Sequence, residues 1–453
     1  MPTYVKDIMN NTRTDGVKRT GENPVATSVT ANRRRTLVSS AMGTTIEWYD
    51  FLLYGFLAPI VFNELFFPDF DPVVGTIIVF STLAVGYGAR PLGGLVFGHF
   101  GDKIGRKKIF MVTLVLMGVS TVGIGLLPTY DSIGIWAPIL LVALRFCQGI
   151  GVGGETGAGT LLTLETAPDN RRGLYGSMVM ATANVGVVLA VGSVALISLL
   201  PREDLLAWGW RVPFLGSIVL VAIGAYIRRN ITESPAFERK RTEVKVPAVE
   251  VLKTAWRPTL AGIALAMIAS TLYHLVATYA LSIGPRNYEL SVTGLTVATM
   301  IASLVALVTI PLSGRLSDSI GRKRNYYVAI PLAMVVVTVY FRYLLPSGNI
   351  YLVGLGMVVA IGVAQALMYG VEGALIAENY STNVRFSGFS IAKQFGTLLG
   401  AGLSPLIASS LAAAFGGNTW AYVIFFGVEA VVAMVALVLL KETYRAPLRS
   451  VRQ

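Results

Sequence analysis

The chain has 453 residues, of which 54% are hydrophobic and 14% are charged, whereas roughly 25% of residues are charged in a soluble domain. This composition excludes a soluble globular enzyme and indicates a protein that crosses a membrane several times. The net charge of +12 would also suit a nucleic-acid-binding protein, so the positions of the cations must decide between the two interpretations.

Twelve apolar segments are each long enough to cross a bilayer, which takes about 20 residues. In chain order they cover 37–62, 74–99, 109–127, 137–164, 174–199, 211–228, 257–283, 292–314, 326–345, 350–377, 387–414 and 419–440. We therefore predict an all-α integral membrane protein with twelve transmembrane helices.

The longest polar interruption, rich in both charges, separates six of these helices from the other six. The predicted parts are an N-terminal tail at 1–36, a first bundle at 37–228, a linker loop at 229–256, a second bundle at 257–441 and a C-terminal tail at 442–453. We expect the polar, basic residues before 36 to be disordered. No apolar core with a cleavage site precedes the first segment, so we expect no cleaved signal peptide.

The basic residues fix the orientation. With the N-terminus inside, all but seven of the 37 Lys and Arg residues fall in cytoplasmic segments. The seven exceptions are Arg202, Arg211, Arg286 and Arg342 in outer loops, and Arg90, Arg145 and Lys393 within helices. This distribution follows the positive-inside rule. It places both termini in the cytoplasm, and it explains the net charge without a nucleic-acid partner.

A polar connector occurs twice, half a chain apart. GHFGDKIGRKK at 98–108 is repeated as GRLSDSIGRKR at 314–324, an offset of 216 residues. Gly105 and Gly321 permit a tight turn, and the following cations hold each loop in the cytoplasm. Asp102 can pair with a cation or with the N-terminus of another helix. The repeat predicts two pseudo-symmetric six-helix halves.

A second repeat lies close to these connectors. Glu165 and Arg172 are seven residues apart after the fourth helix, and Glu378 and Arg385 have the same spacing after the tenth. We expect these four residues to interact across the inner rim, within reach of the connectors. The alternative is that they are ordinary charges at helix ends.

Charges inside a bilayer cost several kcal/mol, about 2.5–3.5 at a helix centre, so they usually face a cavity. Glu47 and Asp50 share one face of the first helix with Tyr54. An apolar environment disfavours an ionised carboxylate, so either acid is a candidate proton carrier, with Asp50 favoured. A permanent structural salt bridge is the alternative.

Arg145 on the fourth helix shares a face with Gln148. Because arginine stays charged, it needs a counter-charge, and we expect Asp50 or Glu47 to supply it. Protonation of that acid would free Arg145 for an anionic substrate, although fixed pairing is also open. Glu155 lies further toward the cytoplasm on the same helix.

Arg90, Lys393 and the neighbouring Gln394 are candidates for substrate contact, with structural pairing an equal alternative for each cation. The predicted substrate-binding set is Tyr54, Arg90, Arg145, Gln148, Glu155, Lys393 and Gln394. His274 is more typical of a helix-interior residue than of a proton relay. The two histidines and the single Cys147 give no metal-ligand cluster and no disulfide, so we predict no metal and no cofactor.

The connector pattern G-x-x-x-D-x-x-G-R-K resembles the loop signature of the major facilitator superfamily. EWYDF at 47–51, ARPLGG at 89–94, the glycine-rich run at 145–155, WGWRVPF at 208–214 and ESP at 233–235 resemble its metabolite:proton symporter branch. FGHFGDKIGRKK and LLTLETAP resemble the shikimate-transporter-like members. In that family the connector is a cytoplasmic gate, which is closed when the protein faces outward.

The gate residues implied by the repeats and the resemblance together are Gly98, Asp102, Gly105, Arg106, Lys107, Glu165, Arg172, Asp318, Gly321, Arg322, Glu378 and Arg385. Three features depart from the branch. Thr156 stands where members usually have Trp, NYST at 379–382 replaces the usual Leu/Met-Phe-Pro-Thr, and Lys393 is an added cation.

The predicted function is import of a small organic acid, such as shikimate or α-ketoglutarate, with protons by alternating access. The alternative is a proton-coupled carrier of a zwitterion such as betaine or proline. The sequence contains no set of residues typical of an enzyme and no appended signalling domain of a receptor. The expected location is the bacterial inner membrane, with the lipid bilayer, protons and a small substrate as the partners of a monomer.

Overall fold

In the computed structural model, the described residues are 24–57, 61–68, 72–229 and 247–446, and all regular secondary structure within them is helical. The expectations for residues 1–23, 230–246 and 447–453 lie outside the described residues, as does most of the predicted linker loop.

In the part of the chain that the structure describes, twelve long helices correspond one to one with the predicted segments. They are α1 (Pro24–Leu57), α2 (Pro72–Ile104), α3 (Arg106–Leu126), α4 (Trp136–Thr166), α5 (Asp169–Ile197), α6 (Arg211–Arg229), α7 (Trp256–Tyr279), α8 (Val292–Ile320), α9 (Arg322–Ser347), α10 (Ile350–Glu378), α11 (Arg385–Ala412) and α12 (Trp420–Leu439). Shorter helices lie at Asn63–Phe66, Tyr130–Ile133, Arg202–Asp204, Pro247–Thr254 and Ala280–Tyr288.

Within the described residues, ten of the long helices, α3 to α12, are long and apolar enough to cross a membrane. The other two, α1 and α2, are longer still, at 34 and 33 residues. They carry Glu47, Asp50 and Arg90, which are three of the charges that the sequence places within the bilayer.

The first helix begins earlier than predicted. Residues 24–36, expected to be part of a disordered tail, are the start of α1. Apolar periodicity marks only the part of a helix that meets lipid, whereas the backbone hydrogen bonds continue through polar residues. Pro24 suits a first helical position, where its missing N–H costs nothing. Arg33 Nε donates to the Thr166 carbonyl at 2.8 Å, which holds this extension against the end of α4.

Both connector turns depend on glycine, as predicted. Gly105 between α2 and α3 has φ 105°, and Gly321 between α8 and α9 has φ 110°. Residues with a side chain rarely adopt this backbone conformation, so each turn reverses the chain within one residue and brings the next helix alongside the first.

The helices pack as two groups of six that meet along two seams. In the first group α4 packs against α2 and α3, and in the second α7 packs against α11 and α12. Between the groups, α2 packs against α11 and α5 against α8. The α5–α8 seam is so close that a Cβ on Gly314 would lie 2.4 Å from the Gly173 carbonyl oxygen, which explains why the connector needs its first glycine.

Candidate functional site

A central cavity lies between the two groups of helices. Its lining comes from both halves: Thr44, Glu47, Trp48, Phe51, Tyr87, Arg90, Thr156, Met180, Ser270, Tyr273, His274, Gln365, Tyr369, Lys393, Gln394 and Thr397. Four of the residues predicted for proton coupling or substrate binding, Glu47, Arg90, Lys393 and Gln394, are in this lining. The lining is rich in aromatic rings and carries an acid and a cation from the first half and a second cation from the second half.

Glu47 and Arg90 form the charged part of the N-terminal wall. Arg90 Nη1 lies 3.7 Å from Glu47 Oε1, and the guanidinium carbon lies 4.1 Å from the centroid of the Phe51 ring and 4.7 Å from that of Tyr87. Thr156, one of the departures from the family pattern, donates to Glu47 Oε2 at 2.8 Å. The short Thr side chain thus fixes the acid that faces the cavity.

Asp50 and Arg145 do not form the direct ion pair that the sequence suggested. Thr121 Oγ1 donates to Asp50 Oδ2 at 2.7 Å, and Gln148 Nε2 donates to Thr121 Oγ1 at 2.8 Å. Arg145 Nη1 donates to Gln148 Oε1 at 2.5 Å and completes the chain. The acid and the cation are therefore linked through two neutral side chains, and Thr121 is a residue that sequence reasoning missed.

Arg145 is fully buried and its charge is only partly compensated. Its guanidinium carbon lies 3.9 Å from the centroid of the Tyr54 ring and 4.6 Å from that of Phe51. Its Nε and Nη2 atoms have no hydrogen-bond partner in the described part of the chain, and the same is true of Asp50 Oδ1. Cation–π contacts contribute about 2 kcal/mol when desolvated, less than a buried counter-ion. Because Arg145 does not line the cavity, the nearest source of further compensation is a rearrangement toward Asp50.

Glu155 does not lie at the expected substrate site. It pairs with Arg228 in α6 and accepts a hydrogen bond from Thr113 Oγ1 at 2.7 Å. Both charged side chains are almost fully buried, and neither lines the cavity. Arg228, counted from the sequence as a cytoplasmic cation, is therefore a structural partner inside the first bundle. Tyr54 also lies behind the lining of the cavity, where its hydroxyl is hydrogen-bonded to the Thr82 hydroxyl.

The C-terminal wall holds a second ion pair. Lys393 Nζ donates to Glu372 in α10, and the ammonium lies 4.7 Å from the centroid of the Tyr369 ring. The sequence analysis missed Glu372, although an acidic residue within the apolar segment 350–377 is a signal of a residue that faces a cavity or a partner charge. Glu429, another acid missed within an apolar segment, is 6% exposed in α12.

His274 also reaches across the cavity. Its Nε2 lies 3.3 Å from Tyr87 Oη in the other half, and its Nδ1 lies 3.0 Å from the Ser270 carbonyl oxygen. Both ring nitrogens therefore have partners, as expected for a histidine within a helix.

At one end of the molecule, Asp318 joins the two halves. Its carboxylate accepts hydrogen bonds from the backbone N–H groups of Gly173 at 2.8 Å and Leu174 at 2.9 Å, in the first turns of α5. Arg322 Nη1 donates to the same carboxylate at 2.7 Å. Asp318 thus makes both kinds of contact that were expected for Asp102, its counterpart in the first connector: one with a cation and one with the N-terminus of another helix.

The seven-residue pairs interact crosswise beside Asp318. Arg385 Nη1 donates to Glu165 Oε1 at 2.9 Å, and Arg172 Nε lies 3.4 Å from Glu378 Oε1. Each pair joins one half to the other. Arg322 Nη2 also donates to Glu378 at 3.2 Å, so this carboxylate is shared between two arginines. The side chains of all five residues are almost fully buried.

The chain after α12 contributes to the same network. Thr443 Oγ1 donates to Glu378 Oε2 at 2.5 Å, and Glu442 accepts hydrogen bonds from the backbone N–H groups of Arg322 at 3.0 Å and Lys323 at 2.9 Å. This end of the molecule is therefore closed by ion pairs and helix-terminus contacts.

The first connector is described only in part. The side chains of Asp102 and Arg106 lie outside the described residues. Gly98 lies against α11, where a Cβ would come 3.0 Å from the Ser387 Cα. Lys107 Nζ donates to the Arg229 carbonyl at 3.2 Å, within the first half.

The comparisons with known proteins agree with this architecture. A family model described as Major Facilitator Superfamily matches residues 40–383 and, in a second match, residues 275–453. The solved structure of the proton:xylose symporter XylE, bound to a bromodeoxyglucose, superimposes with a TM-score of 0.75 over 93% of this chain and 98% of that one, at 17% identity. At that identity the superposition shows the fold alone.

Three curated relatives are similar over most of their length. The inner membrane metabolite transport protein YhjE of Escherichia coli K12 is 38% identical over 91% of this chain and 95% of its own. The shikimate transporter of the same organism is 36% identical over the same shares. Its proline/betaine transporter is 34% identical over 92% of this chain and 85% of its own.

The twelve long helices of the described residues form two halves, with a charged cavity between them and a closed ion network at one end. Together with the relatives, this arrangement defines a membrane transporter rather than an enzyme. The chain belongs to the Major Facilitator Superfamily. The resemblance noted from the connector and the intramembrane motifs is thereby confirmed, as are the predicted fold class and the assignment to transporters of metabolites.

Proposed function

We propose that the protein imports a small organic acid together with protons, by alternating access, across the bacterial inner membrane. The observation that carries this proposal is the pair of cations on opposite walls of the cavity, Arg90 and Lys393. A carboxylate between them would contact both halves at once. The 36% identity to a shikimate transporter supports a substrate of this class.

Proton coupling is assigned to Glu47, Asp50 and Arg145. Asp50 is 1% exposed and has one unpaired oxygen within the described structure, so protonation there removes a costly buried charge. The hydrogen-bonded chain through Thr121 and Gln148 lets the charge state of Asp50 influence Arg145. Because such coupling is reciprocal, binding of an anion near Arg145 favours protonation of the acid.

The second candidate is a carrier of zwitterions, favoured by the relative that transports proline and betaine. Aromatic faces bind quaternary ammonium groups, and Trp48 and Tyr273 line the cavity with rings in edge contact at 6.1 Å. However, the rings of Phe51, Tyr87 and Tyr369 already lie against Arg90 or Lys393. The protein's own cations thus use most of the aromatic surface, which favours an anionic substrate.

The closed ion network is the proposed cytoplasmic gate, and its position gives the proposed orientation, with both termini in the cytoplasm. In this arrangement residues 37–228 and 257–441 act as two halves that rock about the cavity, and the network must separate before substrate leaves to the cytoplasm. All parts of this cycle lie within one chain, which supports a monomer as the functional unit.

The function is tested by reconstituting the purified protein in liposomes. Uptake of labelled shikimate, α-ketoglutarate, citrate and betaine is measured with and without an inward proton gradient. Accumulation of at least one of the acids above its external concentration, only with the gradient, is the expected result. Accumulation of betaine alone would replace the organic-acid proposal with the zwitterion alternative.

A further inference from the structure

The C-terminal wall contains a carboxylate that the proposed cycle does not use. Glu372 is 1% exposed, and Lys393, which pairs with it, is 6% exposed. Lys393 and Tyr369 line the cavity, whereas Glu372 does not. The acid therefore lies behind the lysine as seen from the cavity.

The Lys393 ammonium retains hydrogen-bonding capacity. It has three N–H donors, and among the described residues only Glu372 Oε1 accepts a hydrogen bond from it. Glu372 Oε2 is buried and has no hydrogen-bond partner in the same part of the structure. The pair thus combines a cation that can donate to a further acceptor with a carboxylate of which only one oxygen is hydrogen-bonded.

The local structure holds the ammonium in place. Tyr369 and Glu372 are three residues apart in α10 and therefore share a helix face. The tyrosine ring lies 4.7 Å from Lys393 Nζ, and the carboxylate accepts its hydrogen bond. Because a lysine side chain has four flexible bonds, these two contacts decide where its charge lies.

We propose that Lys393 binds the carboxylate of the transported acid from the C-terminal half, and that Glu372 is a positioning residue that competes with the substrate for this ammonium. The inference rests on the proposed organic-acid function and adds the residue that sets affinity on this wall. Because Glu372 and the substrate share one cation, the substrate binds less tightly than to an unpaired lysine, and it is released more readily at the end of each cycle.

The test uses the full-length protein in lipid nanodiscs and proteoliposomes, with labelled shikimate, α-ketoglutarate and citrate as probes. Glu372→Gln keeps a hydrogen-bond acceptor for Lys393 but removes the competing charge. We expect the Kd of the bound acid to fall on the order of tenfold, since a hydrogen bond to a charged group is worth about that factor or more. The maximal uptake rate should fall together with KM, because release becomes slower.

A pair of variants separates binding from structural support. Lys393→Gln leaves Glu372 buried without its partner, so we expect a lower melting temperature as well as weaker binding. The double variant Lys393→Gln/Glu372→Gln should recover the melting temperature, yet its affinity for the acid should stay at least tenfold weaker than that of the parent. A pair with only a structural role would recover both properties in the double variant.

The matched control is Glu429→Gln, which neutralises another buried acid of the second half that does not line the cavity; its Kd should equal that of the parent. A Kd of Glu372→Gln that equals or exceeds that of the parent would overturn the inference and leave the proposed function intact. An equal fall of the Kd in Glu429→Gln would do the same. Failure of the parent to bind any of the three acids would overturn the proposed function, and the inference with it.

Discussion

Replacement of Asp318 by asparagine should open the proposed cytoplasmic gate. Asp318 accepts two backbone hydrogen bonds from α5 at 2.8 and 2.9 Å and pairs with Arg322 at 2.7 Å. Asparagine keeps one acceptor oxygen and has no charge. Each hydrogen bond to a charged group is worth about 1.5–3 kcal/mol, so we expect the closed state to lose about 2–3 kcal/mol relative to the open one.

A loss of this size shifts the equilibrium between the closed and open gate by roughly 30- to 150-fold. Ser390→Cys, introduced with Cys147→Ser, reports the shift because Ser390 is fully buried in α11. In inside-out vesicles, a membrane-impermeant maleimide should label Ser390→Cys much faster in the Asp318→Asn background. Net transport should fall, while equilibrium affinity for substrate stays within about threefold of the parent, since Asp318 does not line the cavity.

Arg315→Gln is the matched control, because Arg315 is an exposed charge of the same connector. It should leave the labelling rate unchanged. If Asp318→Asn labels no faster than Arg315→Gln, the contacts of Asp318 do not hold the gate closed. A large loss of affinity with normal turnover would contradict the gate role as well.

Two further predictions concern stability and topology. Glu155→Gln leaves Arg228 buried without its counter-charge, so the free energy of unfolding should fall by about 3–5 kcal/mol. Thermal unfolding in detergent measures this loss. A melting temperature equal to that of the parent would contradict the prediction. For orientation, Ser132→Cys in the short helix Tyr130–Ile133 before α4 should be labelled from outside intact cells, and Lys108→Cys should not. The reverse pattern would refute the proposed topology.

The fold and the charged residues of the network around Asp318 could be predicted from the sequence, because both depend on signals that recur in it. Apolar length marks a crossing wherever lipid is the solvent, and the connector repeat places two glycine turns that the structure shows at φ 105° and 110°. The pairs Glu165–Arg172 and Glu378–Arg385 were found by their repeated spacing. Their crosswise partners could not be found that way, because spacing does not encode how two bundles dock.

The cavity was predicted less completely, since the partner of a buried charge depends on helix rotation. Arg145 was expected to pair directly with an acid, yet Gln148 and Thr121 lie between it and Asp50. Glu155 was expected near substrate, but it faces Arg228 inside the bundle. A local pattern shows that a charge needs a partner, and only the packed helices show which partner is in reach.

The most direct test of proton coupling at Asp50 compares exchange with accumulation in the Asp50→Asn variant. Asparagine resembles the protonated acid but cannot release a proton, so labelled substrate should still exchange with unlabelled substrate across the membrane. Accumulation should disappear, although a gradient of one pH unit drives about tenfold accumulation per proton in the parent. Glu429→Gln serves as the control and should accumulate normally. Normal accumulation by Asp50→Asn would contradict the account and move the coupling site to Glu47.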